Sequence, residues 1–282
     1  SWWRNRRNLV RVRAVVAYDG TGYSGFQRQA NVPTIQEDLE TVLEKLTTIP
    51  TRVTAAGRTD AGVHACGQVI AFEPEWHHDW AQLQRGMNAL LPDQIAVYAL
   101  KPVDQEFHPR FDARRRWYRY FVYRAPVRNP LVHRYSLHIK RDLSIAAMNQ
   151  AACMLVGEQD FLAFGSPPQG NNSVRRIFEA NWYELERDWL VFDIHANAFL
   201  YRMVRMLVGT MLRVGYGTLT VGEFEKILRT QDRAKAGPAV AAKGLTLESV
   251  VYKGWKSAGL NEAIGSALIC YGRELNNATK SS

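Results

Sequence analysis

Arg52-Val53-Thr54-Ala55-Ala56-Gly57-Arg58-Thr59-Asp60-Ala61-Gly62-Val63-His64-Ala65 reads as a strand, a tight loop and the start of a second strand that continues to Phe72. Two glycines bracket an Arg-Thr-Asp core, so the backbone there can bend sharply or approach a partner closely. Asp60 sits at the tip, with Arg58 two residues before it. A carboxylate on a rigid inter-strand loop can serve as nucleophile or general base. In isolation, the same pattern also suits a turn former that bonds its own backbone.

Working outward, Leu9 to Asp19 alternates, with Val10, Val12, Ala14, Val16 and Tyr18 on one face and Arg11 and Arg13 on the other. That is the period of a half-buried strand. Thr34 and Glu37 form a capping-box pattern, and Ile35, Leu39, Val42, Leu43 and Leu46 follow at helical spacing. A second helix begins near Asp79 and stops at Pro92, and Ile95 to Leu100 reads as a strand. The order β-α-β-β-α-β is the split βαβ, or ferredoxin-like, unit, and the Asp60 loop is its middle connection.

The same order recurs later without sequence repetition. Trp117 to Tyr123 alternates as a strand, and a helix from about Ser144 is expected to end on Gly157 as its cap. Val174 to Glu186 and Trp189 to Ala196 form a hairpin, followed by an apolar helix over Ala198 to Leu212 and a shorter one over Val221 to Leu228. Leu247 to Tyr252 closes as a strand. The expected class is therefore α+β: two ferredoxin-like halves with mostly antiparallel sheets, meeting at a central cleft. The boundaries are 9–108, 109–256 and a tail or helix over 257–282, with residues 1–8 as a basic arm.

Hydrophobic residues make up 46% of the 282 and charged residues 22%, a globular balance. No apolar run has the length of a membrane span, and no signal-peptide pattern is present. Three widely spaced cysteines point to a reducing compartment, hence the cytoplasm, and His64, Cys66, His77 and His78 fit no standard metal spacing. The net charge is +9, and the stretch from Arg110 to Arg141 holds ten Lys/Arg against one acid, Asp112. Trp117, Tyr118, Tyr120 and other aromatics are interleaved there. Basic charge neutralises phosphate and aromatic faces stack on unpaired bases, so this mixture suits single-stranded or looped nucleic acid. It is expected to wall the cleft. Within the apolar helix, Arg202 and Arg205 are three apart, and a guanidinium in such surroundings needs an anionic partner or a path to solvent.

These pieces together resemble the TruA family of tRNA pseudouridine synthases, over about Leu9 to Tyr252. The resemblance rests on Gly57 to Ala65, on Tyr18-Asp19-Gly20-Thr21 with Tyr23, Gly25 and Gln27, and on Thr34-Ile35-Gln36. It continues through Phe107-His108-Pro109-Arg110-Phe111, Arg116-Trp117-Tyr118-Arg119-Tyr120, Asp160-Phe161 with Phe164, Phe199 with Met203-Val204-Arg205, and Gly244-Leu245. Phe26 and Trp117 depart from the family's usual residues without removing a reactive group. The resemblance implies isomerisation of uridine to pseudouridine in the tRNA anticodon stem-loop, by a homodimer, with no metal or organic cofactor. It implies Asp60 as nucleophile or base, Arg205 pairing with it, and Tyr118 as an aromatic face and hydroxyl beside the base. Arg58 would fill the gap left by a flipped nucleotide, Leu245 would pack under the uracil, and Arg110 and Arg116 would contact the substrate.

An RNA-recognition module, the first rival, would carry paired aromatics in an RNP1-like run, which Val63 to Phe72 does not supply. A hydrolase or phosphotransferase with an aspartyl intermediate would show an acid cluster or a P-loop, and neither is visible.

Overall fold

The computed structural model describes residues 9–257, apart from Gln169 and Arg187. The arm at 1–8 and the tail after Ser257 lie outside the described residues.

The first half runs β1 (Val12–Tyr18), α1 (Ile35–Thr47), β2 (Thr54–Ala55), β3 (His64–Phe72), α2 (Trp80–Leu90) and β4 (Ile95–Pro102). Alternation puts Val12, Ala14, Val16 and Tyr18 into the core beside Ile35, Leu39 and Leu43 of α1 and Leu83 and Met87 of α2. The strand expected at Arg52–Ala56 shortens to two residues. The Thr34–Glu37 capping box does not form: Thr34 makes no side-chain cap. The first donors of α1 go instead to the loop before it, Ile35 N–H to the Gly25 carbonyl (3.3 Å) and Gln36 N–H to the Phe26 carbonyl (2.9 Å). Backbone acceptors took the place the side chain would have filled.

The second half runs β5 (Arg115–Arg124), β6 (Leu137–Ile139), α3 (Ile145–Cys153), β7 (Gly157–Asp160), β8 (Val174–Glu186), β9 (Trp189–Ala196), α4 (Met203–Gly215), α5 (Val221–Thr230), β10 (Leu245–Tyr252) and β11 (Trp255–Lys256). Two helix boundaries move. Gly157 (φ +112°) opens β7 and does not cap α3, which stops at Cys153. The apolar helix starts at Met203, not Ala198, because Tyr201 bridges to Ser166 and Arg202 takes a left-handed φ of 62°. A capping box does form at α5, from Thr220 and Glu223.

The sheet order is β4-β1-β3-β10-β5-β9-β8-β7, with β2 on β3, β6 on β5 and β11 on β10. With β5, β8, β9 and β10 as the four main strands of the second half, each half has its fourth strand beside its first, then its third and second, the split βαβ arrangement in both. The two half-sheets are joined edge to edge into one. At the join, β10 runs parallel to β3 at Thr246–His64 and Leu247–Ala65 and antiparallel to β5 at Leu245–Tyr120 and Leu247–Tyr118. The strand leaving the Asp60 loop is thereby two strands from Tyr118.

The arginine-rich segment does not wall the cleft as a block. Its central part, β5, sends Arg116, Tyr118, Tyr120 and Val122 to the buried face, and Arg115, Trp117, Arg119, Phe121 and Tyr123 to the opposite one. On that far face Asp193 accepts from Arg119 Nε and Nη2 (2.8 and 3.0 Å), Trp117 Nε1 (3.0 Å) and the Tyr183 hydroxyl (2.9 Å). Those charges stabilise the sheet and are spent internally. Among the described residues, no helix is long and apolar enough to cross a membrane, and no three His, Cys, Asp or Glu side chains stand together as a metal site.

Candidate active site

A cleft of about 960 Å³ opens over the join of the half-sheets, lined by Gly57 to Ala61 from one half and Phe199 to Arg205 from the other. Tyr118 and Leu245 also line it.

The Asp60 loop is closed by the Val63 N–H donating to the Asp60 carbonyl (3.1 Å), with Gly62 at φ +75°. A left-handed φ of that size suits glycine. The backbone makes the turn, so the Asp60 carboxylate is not consumed in it. Instead, Asp60 Oδ2 accepts from Arg205 Nη1 at 2.9 Å, with both side chains about 15% exposed. Arg205 Nε donates to the Val240 carbonyl (2.7 Å), and Val240 N–H returns a bond to the Arg205 carbonyl (3.2 Å). The segment carrying Val240 lies so close on α4 that a Cβ at Gly209 would collide with the Pro238 carbonyl. A strap on α4 and a carboxylate across the cleft fix the guanidinium together.

Beneath the loop is a buried polar chain that sequence reading missed. The Tyr18 and Thr59 hydroxyls share a bond of 2.7 Å, and Gln68 Nε2 donates to the Gly57 carbonyl (2.9 Å). Burial pushes the Tyr18 hydroxyl up to about 12. Tyr18 and Thr59 stood in the quoted motifs, and Gln68 showed only as an amide in a largely apolar strand. His64 is a second missed element. Gly20 N–H donates to its Nδ1 (3.1 Å), near the Asp19 carboxylate, while Nε2 faces the Arg134 and Lys243 carbonyls. Burial lowers its pKa, so the ring is a neutral tie between the halves.

Tyr118 is buried, lies edge-on to Phe199 with centroids 5.1 Å apart, and has its hydroxyl raised well above the ordinary range by burial. Leu245 is 5% exposed. Arg58 is exposed on the loop, with no side-chain partner among the described residues. Arg116 is buried and spends its guanidinium on carbonyls: Ala56 (2.9 Å), Arg110 (2.8 Å) and Asn197 (2.5 Å). It ties the base of the Asp60 loop to the opposite wall. Arg110 is half-buried at the cleft edge. The structure thus brings Asp60, Arg205, Tyr118, Leu245, Arg58, Arg110 and Arg116 to one cleft, with Arg202 on its rim.

The profile of the tRNA pseudouridine synthase family matches residues 14–112 and 151–253, which include Asp60 and Arg205. The chain belongs to the tRNA pseudouridine synthase family. The tRNA pseudouridine synthase A of Streptococcus thermophilus is 41% identical over 248 residues, 87% of this chain and all of that one. That of Shewanella pealeana is 43% identical over 244 residues, 86% of this chain and 93% of its own. A solved H/ACA RNP bound to a substrate RNA containing 2'-deoxyuridine aligns over 72% of this chain and 44% of that one, at 14% identity and a TM-score of 0.35.

Proposed function

We propose that this protein isomerises uridine to pseudouridine in the anticodon stem-loop of tRNA, as a cytoplasmic homodimer and without metal or organic cofactor. The observation that carries the reading is the Asp60–Arg205 pair in a cleft shared by both halves of a chain of this family. The reaction breaks the N1–C1′ bond, turns the uracil and joins C5 to C1′. The C5 proton leaves and N1 gains one, so the atoms balance.

Asp60 is the nucleophile or base, acting at C1′ by attack, at C2′ by proton removal or at C6 by addition. All three routes start from the carboxylate that Arg205 orients. Tyr118 offers its ring to the flipped base and, with its hydroxyl pKa raised, meets C5 as a neutral phenol. Leu245 packs under the uracil. Arg58 fills the gap left in the stack and holds the phosphate with Arg110, while Arg116 keeps the walls at their spacing.

The test is Asp60→Asn. It should abolish tritium release from C5-labelled uridine in tRNA while leaving tRNA binding and the fold intact. An Asp60→Asn protein that released tritium at the wild-type rate would sink the assignment.

A further inference from the structure

We propose that the cleft rim is a second, base-stacking subsite, in which Phe111 and Tyr201 hold the unpaired nucleotides next to the target uridine. The proposal rests on the uridine-isomerising reading and extends it to the neighbours of the reacting base.

Phe111 is 73% exposed and Tyr201 51% exposed, yet both line the cleft. They come from different walls: Phe111 from the crossing between β4 and β5, and Tyr201 from the segment that enters α4. Each ring carries the guanidinium of its own sequence neighbour, Arg110 at 5.7 Å from Phe111 and Arg202 at 4.9 Å from Tyr201. Arg202 takes a left-handed backbone (φ 62°), a strained conformation for a non-glycine residue of the kind found where a site requires the geometry.

The charge around these rings is uncompensated. Among the described residues, Arg110, Arg175 and Arg202 have no carboxylate partner, and the Nε of Arg175 is buried without any hydrogen-bond partner. Burial, and then the nearby Arg110, lower the pKa of Arg175, so the two cations crowd one edge of the cleft. Exposed aromatic faces beside unpaired arginines are poorly used by water. They suit bases stacked on rings with phosphates lying against the guanidiniums. Stacking of this kind reads flatness rather than base identity, so the subsite would accept any base beside the target.

The experiment uses a tRNA stem-loop containing the target uridine and, separately, versions with an abasic nucleotide on either side of it. Dissociation constants are measured by filter binding for wild type, Phe111→Ala, Tyr201→Ala and Phe111→Trp. Both rings are exposed, so these changes leave the core untouched. Each alanine variant should bind the intact RNA about tenfold more weakly, and Phe111→Trp should bind as wild type does. For each ring, one abasic position should weaken wild type similarly yet leave that ring's alanine variant unchanged, because the same contact has been removed twice. Alanine variants within twofold of wild type, or abasic penalties that simply add to theirs, overturn the subsite. A wild-type protein that forms no pseudouridine in the intact stem-loop overturns the underlying reading instead.

Discussion

Replacing Arg205 tests whether the two halves act as one site. Its Nη1 lies 2.9 Å from Asp60 Oδ2, with both side chains about 15% exposed. At that separation and an effective dielectric near 20, the attraction is about 6 kcal/mol before the cost of removing both groups from water. The pair's net worth is smaller, but deleting one member leaves the other uncompensated, a loss of about 3–5 kcal/mol. Where that loss falls on the orientation of the carboxylate in the transition state, it corresponds to roughly 10²–10⁴-fold in rate. Arg205→Ala should therefore lose this much in single-turnover pseudouridine formation at saturating enzyme, where binding drops out. Arg205→Lys should recover little, since one ammonium cannot hold the Val240 carbonyl and Asp60 with the fixed fork of a guanidinium. The double variant with Asp60→Asn should be hardly worse than the poorer single one, as for residues acting as a unit. A folded Arg205→Ala protein within tenfold of wild type, or losses that multiply in the double variant, would refute the reasoning.

Gln68→Leu removes the donor to the Gly57 carbonyl beneath the Asp60 loop. It should slow the single-turnover rate by about 10²-fold while leaving the tRNA dissociation constant unchanged, whereas a purely structural role would reduce both in parallel. Arg58, Arg110, Arg175 and Arg202 have no acidic partner, and four phosphates on unpaired strand give a log–log salt slope of about −3; a slope near zero in filter binding would mean the cleft does not touch RNA. Glu248 is raised from 4.5 to about 7 by burial. An acid with a raised folded pKa contributes stability below its unfolded pKa and loses it as pH rises through the folded one. Relative to wild type, Glu248→Gln should thus gain up to about 3 kcal/mol in urea unfolding above pH 7, and nothing near pH 4. An equal difference at both pH values would show that ionisation of Glu248 is not the cause.

Periodicity carried the architecture because strand alternation and helical stripes are local properties, visible wherever one face is buried. It failed where a partner distant in sequence decided the outcome. The Thr34 side chain caps nothing because the first α1 donors, Ile35 and Gln36 N–H, go to the carbonyls of Gly25 and Phe26, and the start of α4 was delayed by the bridge from Tyr201 to Ser166. The arginine-rich segment was legible as charge but not as direction: one β-strand divided it between two faces, giving Arg116 to the cleft and Arg119 to Asp193. The apolar helix showed that Arg202 and Arg205 each needed an anion or a path to solvent, but the pairing of Arg205 with Asp60 came from the family resemblance. Gln68 and His64 gave only the weaker signal of polar side chains in an apolar strand.

The join of the half-sheets explains why the site needs both halves. β3 and β10 share only two ladder pairs, His64–Thr246 and Ala65–Leu247, directly after the Asp60 loop. Further along, the Ser257 hydroxyl donates to the Gly67 carbonyl (2.7 Å) and accepts from Val250 N–H (2.8 Å), bridging β3 and β10 beyond their two ladder pairs. Above it, Arg116 draws together the carbonyls of Ala56, Arg110 and Asn197. The distance between Asp60 and Tyr118 is therefore set by strand spacing and by these few bridging groups, of which Arg116 also lines the cleft. This seam holds the two half-sheets in one register. A register slip of one residue at β10 would turn Leu245 and Leu247 to the opposite face and bring Thr246 to the cleft side. Register at β10 thus controls both the continuity of the sheet and the composition of the site.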